Sequence, residues 1–177
     1  MAYWDATSAS LCSNPYVVGF DPLNEPFPGN FLQDISILKP GVADRERLAP
    51  MYELVHEKYM ANCKNEAINW FEPMPFPDEF HVPFGQGKLG EVVFPVGFEK
   101  PPGGEIGSPN HMLNVHTYCC ELSRDMCASG EPRTDMADEC MRMHNARMRV
   151  RADDAKRLGI PIHLTEFGAC LTEVPCT

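Results

Sequence analysis

Two strand-like runs, far apart in the chain, each deliver a glutamate near their C-terminal end, and this restricts the possible folds more than any other feature of the sequence. Tyr16-Val17-Val18-Gly19-Phe20 is β-branched and aromatic, and Pro22 and Pro26 stop it, so Glu25 should sit at the C-terminal end of a strand. The second run, Ile160-Pro161-Ile162-His163-Leu164, leads into Thr165-Glu166 and is punctuated by Gly168. Most of the chain lies between the two acids, so only a tertiary fold can bring them together.

Between the two runs, strand and helix patterns alternate. A helical window covers Asp44 to about Cys63, with Leu48, Met51, Tyr52, Val55 and Tyr59 recurring at the spacing of one packed face. Ala67-Ile68-Asn69-Trp70-Phe71-Glu72 reads as a short strand stopped by Pro73. Residues 73–109 are rich in proline and glycine and far exceed an ordinary connection, which predicts a long functional loop at a site rim. Met112 to Tyr118 alternates apolar and polar residues as a strand does. A second helical window runs from about Thr134 to Leu158, with Asp135, Asp138 and Glu139 in its first turn and Arg151, Lys156 and Arg157 near its end, the order the helix dipole favours. Met136, Cys140, Met143, Val150 and Leu158 form its expected buried stripe, and Gly159 its C-terminal cap. The order β, α, β, long loop, β, α, β predicts a parallel sheet with crossover helices, an α/β fold.

Composition narrows the partners. The chain has 177 residues, 44% of them hydrophobic, enough for one core, and is read as a single unit over residues 1–177. A formal charge of −10 argues against nucleic acid or an anionic membrane surface as partner, and suits a neutral sugar. No signal peptide is visible at Met1-Ala2-Tyr3-Trp4-Asp5-Ala6-Thr7, and no stretch is long enough to span a bilayer. Eight cysteines favour a secreted, lysosomal or vacuolar setting. Cys119, Cys120, Cys127 and Cys140 cluster in a segment open to disulfides or free thiols; with no CxxC pair, a zinc site is not expected. His56, His81, His111, His144 and His163 show no ligand spacing and read as structural or surface residues, and Asp21 as structural.

Five segments, Gly19-Phe20-Asp21-Pro22-Leu23-Asn24-Glu25-Pro26-Phe27-Pro28-Gly29, Trp70-Phe71-Glu72-Pro73, Gly97-Phe98 to Pro102-Gly103-Gly104, His116-Thr117-Tyr118-Cys119 and Thr165-Glu166-Phe167-Gly168, together resemble the endoglycoceramidases of glycoside hydrolase family five. That resemblance implies a (β/α)8 TIM barrel with its catalytic residues at the C-terminal ends of the strands. The four strands here would be about the fourth to the seventh, so that the chain would be a partial catalytic barrel domain lacking the first three strands and the eighth.

The resemblance assigns roles. Glu25 is the expected acid/base and Glu166 the nucleophile of a retaining β-glycosidase, in which the two carboxyl groups stand about 5 to 5.5 Å apart. Like charges that close disfavour double ionisation, so one acid keeps its proton. Asn24 would hydrogen-bond the sugar 2-hydroxyl, Tyr118 would donate to Glu166, and His116 would line the same pocket. Glu72 either faces the site or caps a turn. The substrate implied is a glycosphingolipid, cut at the sugar–ceramide linkage; a β-glucosidase or β-glucanase of the same family, or a catalytically silent glycan-binding remnant, is the alternative. Val92-Val93-Phe94-Pro95-Val96-Gly97-Phe98 is either a lipid-facing lip, for transient contact with a membrane surface, or an ordinary buried strand. No metal and no cofactor is called for, because carboxylates and water suffice.

Overall fold

The structure is a computed structural model that describes residues 2–63, 67–84, 88–118 and 137–168. Its elements, in chain order, are α1 (Ala2–Leu11), β1 (Gly19–Phe20), α2 (Ala49–Cys63), β2 (Ile68–Phe71), β3 (Glu79–Phe84), β4 (Lys88–Val93), β5 (His111–Tyr118), α3 (Ala137–Leu158) and β6 (Ile162–Gly168). Strands β1, β2, β5 and β6 form one parallel sheet in that order, with α2 crossing between the first two and α3 between the last two. The fold is α/β, as the alternation predicts.

The helical windows match closely. A wide turn over Asp44–Leu48 winds directly into α2, which opens with Ala49-Pro50. Leu48, Tyr52, Val55 and Tyr59 are buried along it. Gly159, at φ +68°, caps α3 in the left-handed region, and the Ile160 N–H reaches back to the Ala155 carbonyl at 3.0 Å. Met136 and the start of the expected second window lie outside the described residues.

Three expectations are corrected, for β1, for the stretch 73–109 and for the stripe of α3. Strand β1 is only Gly19–Phe20, and Tyr16 is 91% exposed, because β2 pairs with no more of it than Gly19 and Phe20. The stretch 73–109 is not one long loop: it carries the antiparallel hairpin β3–β4. Of the two readings of Val92 to Phe98, the buried one fits: Val92 and Val93 end β4, and Val96 and Phe98 are buried in the main core. The buried stripe of α3 is not simply apolar: Cys140, Met143 and Leu158 are buried as expected, but Arg147, Arg151 and Asp154 are buried among them. Glu166 lies near the C-terminal end of β6, in the strand expected to carry it. The helix α1 had no counterpart in the sequence reading; it packs on α2, tied by the Cys12–Cys63 disulfide. Cys140 is also disulfide-bonded, while Cys119, Cys120 and Cys127 lie outside the described residues.

The main core fills the space between sheet and helices. Phe71 of β2 meets Phe98 edge-on at 5.1 Å and Tyr52 of α2 at 6.2 Å, with Leu113, Val115 and Leu158 around them. Buried acids pin the connecting backbone beside this core. Asp44 accepts from the Met74 and Gly97 N–H groups at 2.7 and 2.8 Å, Asp78 from Gly41 N–H at 2.9 Å, and Asp154 from Val96 N–H at 3.0 Å. Gly97 and Gly41 cross so closely that a Cβ on Gly97 would lie 1.8 Å from the Gly41 carbonyl oxygen, so no larger residue fits there.

Candidate active site at the strand ends

The two glutamates meet at the C-terminal end of the sheet, with an imidazole between them. His116 Nδ1 lies 3.0 Å from Glu25 Oε1 and 3.4 Å from Glu166 Oε2, and donor atoms of all three side chains fall within 4.8 Å of one another. Glu25 reaches the site from the turn after β1, Glu166 and Thr165 from β6, and His116 and Tyr118 from β5. Tyr118 donates to Glu166 Oε2 at 2.7 Å. A charge-assisted bond of this length holds the carboxylate in one orientation.

The face on which Glu166 stands depends on one irregularity. From Leu113 to Val115, β5 pairs residue for residue with Ile162 to Leu164, but His116 then pairs with Glu166, leaving Thr165 as an extra residue. A strict period of two would put Glu166 on the same side as Ile162 and Leu164, which pack against the helix-side core. The bulge reverses that parity and turns both Thr165 and Glu166 toward His116, as bulges beside sites do. Thr165 Oγ1 lies 3.1 Å from His116 Nε2 and donates to Asn114 Oδ1 in a short hydrogen bond.

Glu25 stands in a strained turn. Its φ of 43° is the single positive value among the described non-glycine residues, an arrangement that costs on the order of 1 kcal/mol or more. Its N–H donates to Glu72 Oε2 at 2.8 Å. Asn114 Nδ2 donates to Glu72 Oε1 at 3.1 Å and to Asp21 Oδ2 at 2.6 Å, so Asn114 and Asp21 belong to the site network, which the sequence pattern did not reveal. Burial, foremost, pushes the Glu72 carboxyl up to about 7, against the opposing Glu25 N–H and His116. Asn24, beside Glu25, is exposed. A polar cavity of about 110 Å³ lies behind the site, lined by Glu25, Glu72, Glu79, His116, Arg147 and Arg151.

The arrangement suits two-carboxylate chemistry. One carboxyl is exposed at the turn, and its partner is held by a tyrosine. Glu25, His116 and Glu166 also form the one group among the described residues whose donors could converge on a cation. Of the other histidines, His163 accepts from Trp70 Nε1 at 2.9 Å, His144 pairs with Thr117, and His111 with Ser108.

Known proteins bear on this geometry. The chain is 33% identical over 116 residues to an endoglycoceramidase of Cyanea nozakii, an alignment covering 66% of this chain and 20% of that protein. An endoglycoceramidase of Hydra vulgaris is 32% identical over 116 residues, again 66% of this chain and 19% of the relative. These matches support a glycosidase relationship. The chain spans about a fifth of the length of the curated relatives it matches. Neither a protein-family model nor a solved structure matches it. Among the described residues, no helix is long and apolar enough to cross a membrane.

Proposed function

We propose that this chain carries the catalytic pair of a retaining β-glycosidase of glycoside hydrolase family five that cuts the sugar–ceramide bond of glycosphingolipids. The observation that supports it most is that carboxyl oxygens of Glu25, from the turn after β1, and Glu166, from β6, come within 4.8 Å of one another about His116, although β1 and β6 are the two edges of the sheet. In this reading Glu166, aligned by Tyr118, attacks the anomeric carbon. Glu25 protonates the departing ceramide oxygen, then takes a proton from the water that releases the sugar. Asn24 binds the 2-hydroxyl, an interaction that strengthens in the transition state. His116 lines the sugar site between the two acids. The parallel sheet β1-β2-β5-β6 is then an arc of a (β/α)8 barrel, about its fourth to seventh strands, with the site where barrel enzymes keep theirs.

The names of the two relatives point to a glycosylceramide, and that substrate is the first to offer. Native protein from its source should hydrolyse glycosylceramide and release the β-anomer first, seen by proton NMR before mutarotation. Release of the α-anomer would refute the retaining assignment. Binding of glycosylceramide without turnover would instead favour the silent glycan-binding alternative.

A further inference from the structure

Glu72 is the most buried of the three glutamates in the cluster. Its side chain is 5% exposed, against 49% for Glu25 and 38% for Glu166. Oxygen Oε2 accepts the Glu25 N–H at 2.8 Å. Oxygen Oε1 accepts from Asn114 at 3.1 Å and lies 3.4 Å from His116 Nε2. The backbone of Glu72 is itself gripped: the Tyr52 hydroxyl, on a fully buried ring, donates to the Glu72 carbonyl and accepts from the Glu72 N–H, each at 3.2 Å. A continuous chain of bonded groups thus runs from α2 through Tyr52 and Glu72 to the left-handed turn at Glu25.

We infer that Glu72 is a positioning residue: anchored by Tyr52, it clamps the Glu25 backbone N–H and thereby aims the exposed Glu25 carboxyl at the site shared with Glu166. A left-handed glutamate has no side-chain or glycine-like reason to stay there, and the Glu72 carboxylate supplies the acceptor that keeps it. Glu72 makes no contact with substrate in this account, because its oxygens are taken up by Glu25, Asn114 and His116. Tyr52 acts one step further back, by fixing the strand end from which Glu72 extends.

The assignment takes the glycosidase reading only for its kinetic consequence; its backbone consequence stands apart. Amide hydrogen exchange in the native protein and in Glu72→Ala reads the clamp directly. The Glu25 amide should exchange at least about tenfold faster in the variant while Leu113 and Val115 in β5 keep their protection. Unchanged exchange at Glu25 would overturn the clamp whether or not the protein is an enzyme. Should Glu72→Ala fail to fold, Glu72→Gln, which keeps one carbonyl acceptor for Glu25 N–H and loses the second oxygen, carries the test: its Glu25 amide should exchange between about two and ten times faster than in the native protein. No change there would overturn the clamp equally. With glycosylceramide as substrate, Glu72→Gln should lower kcat about 10- to 100-fold with KM nearly unchanged, since a misplaced acid loses rate rather than binding. A rise in KM at unchanged kcat would make Glu72 a substrate-binding residue and overturn the assignment; absence of hydrolysis in the native protein would remove the glycosidase reading and leave the exchange result to decide the clamp.

Discussion

The molecule holds two clusters of acids, and the contrast between them separates structure from chemistry. In the first, Asp44, Asp78 and Asp154 are buried beside the core, and backbone N–H groups of Met74, Gly97, Gly41 and Val96 take up their oxygens. Arg151, itself buried, joins the cluster by pairing with Asp154 at 3.0 Å and Glu79 at 2.6 Å. In the second, Glu25 and Glu166 leave their carboxyl groups half-exposed at the strand ends, each oriented by a few specific partners. The same residue types thus do opposite work. Saturated carboxylates fasten loops, whereas carboxylates with one aligned face and one open face can meet a substrate. Glu72 stands between the two, as buried as the first group and bonded to the second.

The largest effect expected is at the open cluster. Glu166→Gln should cut turnover of glycosylceramide by more than about a thousandfold while changing the melting temperature little, because the half-exposed side chain keeps a carbonyl oxygen that can accept from Tyr118. Retained activity would erase the distinction. At the saturated cluster the opposite holds: Asp44→Ala should cost about 3 kcal/mol of stability in denaturant unfolding, since two buried N–H groups lose their acceptor. An unfolding midpoint equal to that of the native protein would deny the cluster its structural role. A smaller change, Tyr118→Phe, should lower kcat about 10- to 100-fold by freeing one oxygen of Glu166, with stability nearly intact.

The smallest effect is a pH dependence that sharpens the contrast further. Burial, then the charge of Asp78, raises the Asp44 carboxyl from 3.8 to about 7, against its two backbone N–H partners and Arg151. A folded-state value above the unfolded one means that its contribution to stability is fully present below about pH 4 and is lost as pH rises through 7. Asp78, raised to about 6 chiefly by burial, acts in the same direction. His111 acts oppositely: burial lowers it to about 4, so its contribution is lost as pH falls below its ordinary 6.5. The stability difference between native protein and Asp44→Ala isolates the first term. It should be larger at pH 5.5 than at pH 7 by on the order of 1 to 2 kcal/mol. A difference that is flat with pH, in unfolding curves at the two values, would mean that Asp44 is ionised throughout.

Much of this architecture was legible in the residues. Helical spacing gave α2 and α3 because Tyr52, Val55 and Tyr59, or Met143 and Leu158, repeat on one packed face. Glu25 and Glu166 stood out because apolar runs lead into each. What could not be read is tertiary in origin. The bulge at Thr165 is set by pairing with β5, and without it alternation would turn Glu166 toward the helices. Arg151, read as a basic residue suited to the helix end, is instead buried against Glu79 and Asp154, and Arg147 beside it pairs with Glu79, contacts that only the tertiary fold supplies. The hairpin β3–β4 was hidden because Pro83, Gly90 and the glycines around them look like loop punctuation, although Pro83 pairs within the ladder. Asp21 and Asn114 entered the site only through a hydrogen bond between residues 93 apart in sequence.

The account turns on Glu166 as the group that bonds to the sugar, and covalent trapping asks that question directly. Native protein would be incubated with a 2-deoxy-2-fluoro-β-glycoside carrying a good leaving group, digested, and its peptides mapped by mass spectrometry. A fluoroglycosyl adduct on the peptide containing Glu166, absent from Glu166→Gln, is the result predicted. An adduct on Glu25 or Glu72, or turnover of natural substrate with inversion and no adduct at all, would contradict it.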